Sequence, residues 1–152
     1  GVFAILAAGV RVAPACAQVS GAQPRLRTEP MTIETSHGPV NLTVEMADTA
    51  QTRELGLMFR DAPSRYEGML FDFHQPQEVS FWMKNTKVSL DLLFIDPKGR
   101  IIRIARNATP FSEEPIPSGA PILGVLEIAA GRSQELGVAE GDKVRQRIFS
   151  TQ

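Results

Sequence analysis

Alternation of apolar and polar residues divides most of the chain into short strands. Some segments alternate regularly, as half-buried strands do, and others are short continuous apolar runs typical of strands buried on both faces. The predicted strands are residues 31–35, 40–46, 68–73, 79–83, 90–95, 100–106, 122–128 and 143–149. Most connections between them are short. The pattern therefore predicts an α+β domain with a mainly antiparallel β-sheet or partly open barrel of about seven or eight strands.

Two short helices are predicted between the strands. The first runs from about Thr49 to Leu57, behind Asp48, whose carboxylate suits a helix N-cap. The second covers residues 130–136. The stretch 107–121 carries four prolines and predicts a long ordered loop of the kind that often lines a site.

The N-terminal part of the chain differs from the rest. Residues 2–10 form an apolar run too short to span a bilayer, and the small residues at 15–17 have the spacing of a signal-peptidase site. We predict a signal-peptide remnant at 1–17, a flexible linker at 18–29 and a single domain at 30–150. The alternative is that the apolar run is an N-terminal strand or helix of the domain.

The signal-peptide prediction implies export to the periplasm or the cell exterior. The only cysteine, Cys16, stands at the predicted cleavage site, where Pro14 disfavours its use as a lipid-acceptor residue. A mature chain that begins after Ala17 would contain no cysteine. Its stability would then come from its hydrophobic core rather than from disulfides.

The composition limits the partners of this chain. The formal net charge is −1, with 16 lysine and arginine residues against 17 aspartate and glutamate residues. Nucleic-acid binding needs clustered basic residues, so we predict no nucleic-acid partner. The chain has no apolar run of about 18 residues, so we predict no stable membrane span in the mature form. We expect a monomer.

Several sequence blocks occur in the order of one known family. They are RELGLMFR at 53–60, GMLFDF at 68–73, VSFWMKNT at 79–86, LDLLFID at 90–96, VLEIAAG at 125–131 and GVAEGD at 137–142. On these motifs the chain resembles the DUF192 (UPF0127) family over about residues 31–148. The resemblance implies a small, often exported, β-rich domain without an established activity, and it implies no catalytic or cofactor residue.

The segment 81–86 joins three apolar residues to three polar ones. Neighbouring side chains of a strand face opposite sides, so Phe81 and Met83 are predicted to enter the core while Trp82 and Lys84 face a cleft. A half-exposed indole beside an ammonium would make an apolar floor with a charged rim. The alternative is a core tryptophan followed by a polar turn. The candidate ligand-binding residues here are Trp82, Lys84, Asn85 and Thr86.

Two carboxylates, Asp91 and Glu127, interrupt otherwise apolar strands. A buried carboxylate must be paired or hydrogen-bonded, because burying it alone costs several kcal/mol. For Asp91 we expect Lys84, Arg60 or the backbone N–H groups of residues 85–89 as partners. Asp91, Glu127 and Arg60 are therefore further ligand-binding candidates, with purely structural hydrogen bonding as the alternative.

The sequence favours a non-enzymatic binding module of the cell envelope, because the chain has no recognisable catalytic motif. Its ligand would be an unidentified small molecule or envelope component, and we predict no cofactor. One alternative is a hydrolase-type enzyme that uses Asp91 or Glu127 with Lys84. Another is a Cu(I)-binding protein, since thioethers suit that ion. Its ligands would be Met58, Met69, Met83 and His74.

Overall fold

The computed structural model describes residues 1–3 and 21–149, and every element below lies within these ranges. The strands are β1 (Val2–Phe3), β2 (Thr28–Thr35), β3 (Gly38–Ala47), β4 (Glu67–Gln77), β5 (Ser80–Phe81), β6 (Leu90–Ile95), β7 (Ile101–Ala108), β8 (Ile116–Pro117), β9 (Ile122–Ala129) and β10 (Lys143–Arg145). The helices are α1 (Ala50–Leu55) and α2 (Arg132–Glu135). Both helices are short, as predicted.

Two sheets make up the described part of the fold. The larger has the strand order β10-β2-β3-β4-β9-β6-β7, and the smaller has the order β1-β5-β8. Every pair is antiparallel except β3 with β4. The larger sheet is not closed into a barrel, although an isolated bridge between Arg100 and Lys143 connects its two edges. The predicted α+β class with mainly antiparallel strands is therefore confirmed.

The parallel pair follows from the connection between β3 and β4. This connection contains α1 and is long enough for the crossover that parallel strands require. The helix begins behind Thr49, which forms a reciprocal capping box with Thr52. The predicted cap, Asp48, lies one residue too early, and its carboxylate accepts a hydrogen bond from Arg27 at 2.8 Å.

The larger sheet carries a hydrophobic cluster on each face. On β6, Leu93 and Ile95 belong to one cluster and Leu92 and Phe94 to the other, as strand alternation requires. The second cluster also contains Phe81 of β5, so the smaller sheet lies over this face. We call this face of the larger sheet the β5 face.

Phe81 joins the two sheets. Its side chain is fully buried and makes edge-to-face contacts with Phe71, Phe73 and Phe94, with ring centroids 5.0, 6.2 and 6.0 Å apart. Aromatic pairs in this geometry stabilise beyond their buried area. The anchored ring therefore determines which way the residues that follow it point.

The predicted loop at 107–121 is more ordered than expected. It contains the end of β7 and the whole of β8, and β8 pairs with β5. This stretch therefore builds one edge of the smaller sheet. Within the ranges that the structure describes, no helix is long and apolar enough to cross a membrane.

The N-terminal predictions fall only partly on described residues. Val2–Phe3, the start of the predicted signal-peptide core, forms β1, whereas the rest of the apolar run, Cys16 and the predicted cleavage site lie outside the described ranges. In the predicted linker, Thr28 and Glu29 are the first residues of β2. Strand structure thus begins before the predicted domain boundary at Pro30. The signal peptide and the linker remain predictions.

Phe81→Ala is expected to destabilise the domain strongly. The substitution removes three aromatic contacts and leaves a cavity between the sheets, which costs about 3–5 kcal/mol for a buried phenylalanine. Urea denaturation followed by circular dichroism measures the free energy of unfolding. The matched control is Tyr66→Ala, since Tyr66 is 52% exposed and its loss should change stability by less than about 0.5 kcal/mol. Equal stability of the two variants would contradict the role of Phe81.

Candidate functional site

Trp82 and Lys84 lie on the outer side of the strand segment that contains Phe81. Phe81 and Met83 are 0% and 1% exposed, whereas Trp82 and Lys84 are half-buried. Lys84 Nζ lies 5.1 Å from the centroid of the Trp82 ring, a cation–π distance. The predicted alternation is therefore confirmed, and Trp82 is a half-buried indole beside an ammonium rather than a core tryptophan.

Local hydrogen bonds hold the turn that follows. Asn85 has a φ of 55°, in the left-handed region that asparagine adopts more readily than most residues. Thr86 is buried, and its hydroxyl donates to the Lys84 carbonyl oxygen at 3.1 Å. The Asn85 carbonyl oxygen accepts from the backbone N–H of Phe59 at 2.8 Å. Asn85 and Thr86 thus position Lys84 through backbone geometry.

Residues 1–3 fill a cleft beside Trp82. They pair with β5 in antiparallel fashion, so β5 has β1 on one edge and β8 on the other. The Phe3 ring stacks on Trp82 with centroids 5.1 Å apart. The backbone N–H of Trp82 donates to the Gly1 carbonyl oxygen at 3.2 Å. We call the space that residues 1–3 occupy the β1 cleft.

A buried carboxylate lies at the inner end of the β1 cleft. Glu127 of β9 is 1% exposed and stands between Met69 of β4 and Leu92 of β6. Its neighbour Leu126 belongs to the cluster on the opposite face, so Glu127 points to the β5 face. Burial raises the pKa of the Glu127 carboxyl, and the positive charge of the Gly1 amino group partly offsets this effect. The carboxyl therefore lies within electrostatic reach of the bound N-terminal segment.

Two side chains that border the cleft carry unsatisfied polar atoms. Among the described residues, the buried side-chain atoms without a hydrogen-bond partner are Trp82 Nε1, Glu127 Oε1 and Arg132 Nε. The first is a donor and the second an acceptor, while Arg132 belongs to α2. Buried polar groups nearly always find partners, so these exceptions call for an explanation. A ligand with both an acceptor and a donor would satisfy Trp82 and Glu127.

Asp91 is a structural carboxylate on the face opposite the cleft. It is 0% exposed, and its Oδ1 accepts from the backbone N–H of Asn107 at 3.0 Å. Its Oδ2 accepts from the backbone N–H groups of Gly131 and Ser133, both at 3.2 Å, and from the Ser133 hydroxyl at 2.6 Å. These bonds tie β6 to β7 and to the start of α2. The expected partners were wrong, because the bonds come from residues distant in sequence.

The two cations predicted to pair with Asp91 bind other carboxylates. Lys84 Nζ lies 3.9 Å from Glu113 Oε1 at the surface. Arg60 makes two hydrogen bonds to Glu45, at 2.9 and 2.6 Å. Although burial acts to raise it, the Arg60 guanidinium and a backbone N–H hold the pKa of Glu45 below its usual value. Arg60 and Glu45 line a separate groove of about 590 Å³.

The geometry does not support the hydrolase hypothesis. Asp91 and Glu127 are on neighbouring strands, but their side chains point to opposite faces of the larger sheet. Acid–base catalysis by the pair would require both carboxyls to reach one substrate. Lys84 joins neither of them, since its nearest carboxylate is Glu113. The structure therefore does not bring Asp91, Glu127 and Lys84 together at one site.

The residues predicted as Cu(I) ligands are packed in the hydrophobic core or hydrogen-bonded to other protein groups. Met69 and Met83 are buried in the cluster of the β5 face, where thioethers commonly fill a core. Met58 is also buried, and its sulfur lies 4.0 Å from Asn85 Nδ2. The His74 ring hydrogen-bonds the carbonyl oxygen of Asp48 at 2.5 Å. These observations give the copper hypothesis no support.

Sequence reasoning does not identify the residues that fill the cleft. The run that begins at Val2 matches a signal-peptide core, and no local pattern indicates that Gly1 meets Trp82, 81 residues away. Met58, which lines the position of Gly1, stands out only as a possible metal ligand. The one available signal is the alternative noted above, that the apolar run is a strand of the domain.

The mixed larger sheet and the smaller sheet on its β5 face define a small β-rich α+β domain. Its candidate site is the cleft between Trp82 and Glu127. A family model described as "Uncharacterized ACR" matches residues 31–146. The chain belongs to this family, DUF192. The resemblance found in the sequence motifs is therefore confirmed.

Two solved structures show the same fold. A protein named "putative transcription regulator" from Sinorhizobium meliloti 1021 is 42% identical with a TM-score of 0.78, and the match covers 82% of this chain and 97% of that one. A protein of unknown function from Novosphingobium aromaticivorans DSM 12444 is 37% identical with a TM-score of 0.78, and the match covers 91% of this chain and 100% of that one. No curated protein matches the chain.

Glu127→Gln is expected to stabilise the domain at neutral pH. Because burial raises the pKa of Glu127, the folded protein holds a proton that the unfolded chain loses above its ordinary pKa of about 4.3. Stability therefore falls as pH rises from that value to the folded pKa, and glutamine removes this fall. Calorimetry should show a higher Tm for the variant at about pH 7.5 and nearly equal Tm values at about pH 4.

The matched control for this prediction is Glu135→Gln. Glu135 lies on the surface of α2 and pairs with Arg132 and Arg65, so neutralising it relieves no burial. It should give no gain in Tm at about pH 7.5. A Glu127→Gln variant that melts below the wild type at this pH would show that the carboxylate is satisfied in the folded protein.

Proposed function

We propose that this domain is a non-enzymatic binding module whose β1 cleft takes an extended chain segment. The observation that carries the proposal is that the N-terminal strand β1 pairs with the edge of β5 that β8 does not cover. Strand addition to an exposed sheet edge is a general mode of peptide recognition, in which backbone hydrogen bonds supply affinity and side-chain pockets supply specificity. A ligand segment would therefore bind β5 in the same way as residues 1–3 do.

Backbone pairing makes the β1 cleft open to other sequences. The Trp82 N–H donates to the Gly1 carbonyl oxygen, and the Trp82 carbonyl oxygen accepts from the Gly1 nitrogen at 3.4 Å. Any extended chain offers the same donors and acceptors. The residues that hold residues 1–3 are therefore suited to hold a different segment in the same place.

Side-chain positions in the cleft would select among such segments. Val2 packs against the apolar cluster of the β5 face, whereas Phe3 lies outside on the Trp82 ring. A ligand with an apolar residue followed by an aromatic one would repeat both contacts. The unsatisfied Trp82 Nε1 and Glu127 Oε1 offer one donor and one acceptor beyond those of the backbone.

The proposal places the domain in the cell envelope. Cleavage after Ala17, which the apolar run and the small residues at 15–17 predict, would detach residues 1–3 from the domain. The edge of β5 would then be open, and a chain segment of another envelope molecule would take the place of β1. Export and chain binding are thus parts of one proposal.

The name of the Sinorhizobium protein does not extend to this chain in our proposal. A formal net charge of −1 provides no excess of basic residues for phosphate contacts. The absence of a nucleic-acid partner and the monomeric state remain predictions. A polypeptide or peptide-like envelope component is the ligand class that the cleft supports best.

A peptide titration tests the proposal. The full chain carrying Val2→Asp and Phe3→Asp should no longer seat its own segment, because two carboxylates replace the apolar contacts of β1. Adding the amidated pentapeptide Gly-Val-Phe-Ala-Ser should then give a saturable change in tryptophan fluorescence. Trp82 is the only tryptophan of the chain, so the signal reports on the cleft.

Three controls accompany the titration. The unsubstituted chain should bind the peptide far more weakly, since its tethered segment competes at an effective concentration on the order of millimolar. A pentapeptide with aspartate in place of phenylalanine should bind about tenfold more weakly, because it loses the aromatic stack. Adding Tyr66→Ala to the chain that carries Val2→Asp and Phe3→Asp should leave peptide binding unchanged. Absence of saturable binding to that folded chain would refute the proposal.

A further inference from the structure

The groove of Arg60 and Glu45 is a second concave site, separate from the β1 cleft. Its volume of about 590 Å³ is typical of small-molecule sites, and no residue of the β1 cleft lines it. Its walls come from residues of the segment 22–25, the loop 59–64, the start of β4 at Glu67, and Lys87.

Hydrogen bonds hold these walls in place. The Gln23 side chain donates to the Gly56 carbonyl oxygen at 2.9 Å, which fixes this part of the chain to the end of α1. The Glu45 carboxylate accepts the two bonds from Arg60 and a third from the backbone N–H of Leu26 at 2.8 Å. The groove is therefore preformed, which lowers the entropic cost of binding a ligand.

Three ion pairs line the groove and leave it without excess charge. They are Arg25–Glu67, Arg60–Glu45 and Lys87–Asp61, with N···O distances of 3.1, 2.6 and 3.1 Å. The other lining residues are uncharged. A charged ligand would meet a like charge beside every opposite one. An uncharged ligand with hydroxyl groups is better suited, because a hydroxyl both donates and accepts hydrogen bonds.

One wall carries an aromatic ring on a strained backbone. Phe59 is 38% exposed, although phenylalanine is among the residues most often buried. Its φ of 63° lies in the left-handed region that bulky residues rarely adopt, and its N–H donates to the Asn85 carbonyl oxygen at 2.8 Å. Strain of this kind persists only where the surrounding structure enforces it, and it is concentrated at functional sites. The loop thus holds an apolar ring at the surface of the groove.

A pyranose sugar has the chemistry that this surface requires. C–H groups cover the face of such a sugar, and hydroxyl groups surround its edge. The face of an aromatic ring is electronegative and attracts polarised C–H groups, so a sugar would stack on Phe59. Asp61 and Lys87 each lie two residues from one partner of the bond between Phe59 and Asn85, so their ion pair is next to the ring.

We propose that the groove of Arg60 and Glu45 binds an uncharged pyranose sugar, stacked on Phe59 and hydrogen-bonded by the Lys87–Asp61 pair. This site goes beyond the proposed function and does not depend on it. The side chains of Arg60 and Glu45 are only 18% and 7% exposed, so they hold the floor of the groove. Arg60, a ligand-binding candidate in the sequence, is then a positioning residue.

An NMR titration of the isotope-labelled full chain tests the proposal. The probes are cellotriose and the trimer of N-acetylglucosamine, both uncharged, and the deacetylated form of the second trimer, which is cationic. The uncharged trimers should cause saturable shifts in the residues that line the groove, while the indole signal of Trp82 stays unchanged. The deacetylated trimer should bind at least about tenfold more weakly than the acetylated one.

Phe59→Gly tests the stacking contact, since glycine adopts the same φ without strain. The substitution should weaken binding of the uncharged trimers at least about tenfold. The matched control is Phe111→Gly. Phe111 is also exposed and also has a φ of 63°, but it does not line the groove. This control should bind the trimers as the unsubstituted chain does.

Asp61→Ala tests the hydrogen bonds to the sugar hydroxyls. It should weaken binding of the uncharged trimers about fivefold, the effect of losing one hydrogen bond. The matched control is Glu113→Ala, which removes a surface carboxylate paired with Lys84 outside the groove. It should leave binding unchanged. Circular dichroism checks the fold of every variant before titration.

The outcomes decide each part of the proposal. Absence of saturable shifts in the groove with both uncharged trimers would overturn it, and so would equal binding of the deacetylated trimer. Unchanged binding in Phe59→Gly, or an equal loss in Phe111→Gly, would overturn the role of Phe59. None of these results bears on strand addition at β5, which the peptide titration tests separately.

Discussion

Packing of the Phe81 ring among Phe71, Phe73 and Phe94 is the interaction on which the site depends. It holds the smaller sheet against the β5 face of the larger one. Once the ring is buried, strand alternation directs Trp82 outward and brings Lys84 over the indole. The smaller sheet also covers the side chains that β4, β6 and β9 direct to the β5 face. The cleft between Trp82 and Glu127 is thus a consequence of how the two sheets are joined.

Burial of the Glu127 carboxyl in this arrangement has a cost in folding free energy. A carboxyl that is buried on an apolar face and lacks a full set of partners lowers the stability of the folded state at neutral pH. Asp91 is equally buried, but four hydrogen bonds satisfy it. The contrast separates the roles of two carboxylates that look alike in the sequence. Asp91 stabilises the fold through these bonds, whereas Glu127 keeps one carboxyl oxygen without a hydrogen-bond partner among the described residues.

Local patterns predicted the features that depend on neighbouring residues. The strand period indicated that Phe81 and Met83 are buried and that Trp82 faces outward, and the conserved geometry of a strand makes such a prediction robust. Contacts between distant segments were not predictable in this way. The partners of Asp91 lie as far as 42 residues along the chain, and the partner of Gly1 lies 81 residues away. The parallel pairing of β3 with β4 likewise depends on the path of the whole connection.

The most direct test of the central claim is an NMR measurement on Trp82 in the full chain carrying Val2→Asp and Phe3→Asp. The chain has one tryptophan, so its indole N–H gives one signal. On addition of Gly-Val-Phe-Ala-Ser amide, the account predicts that the indole and backbone N–H signals of Trp82 shift together, and that the backbone N–H exchanges more slowly. Saturable shifts confined to the groove of Arg60 and Glu45, with the Trp82 signals unchanged, would contradict strand addition at β5.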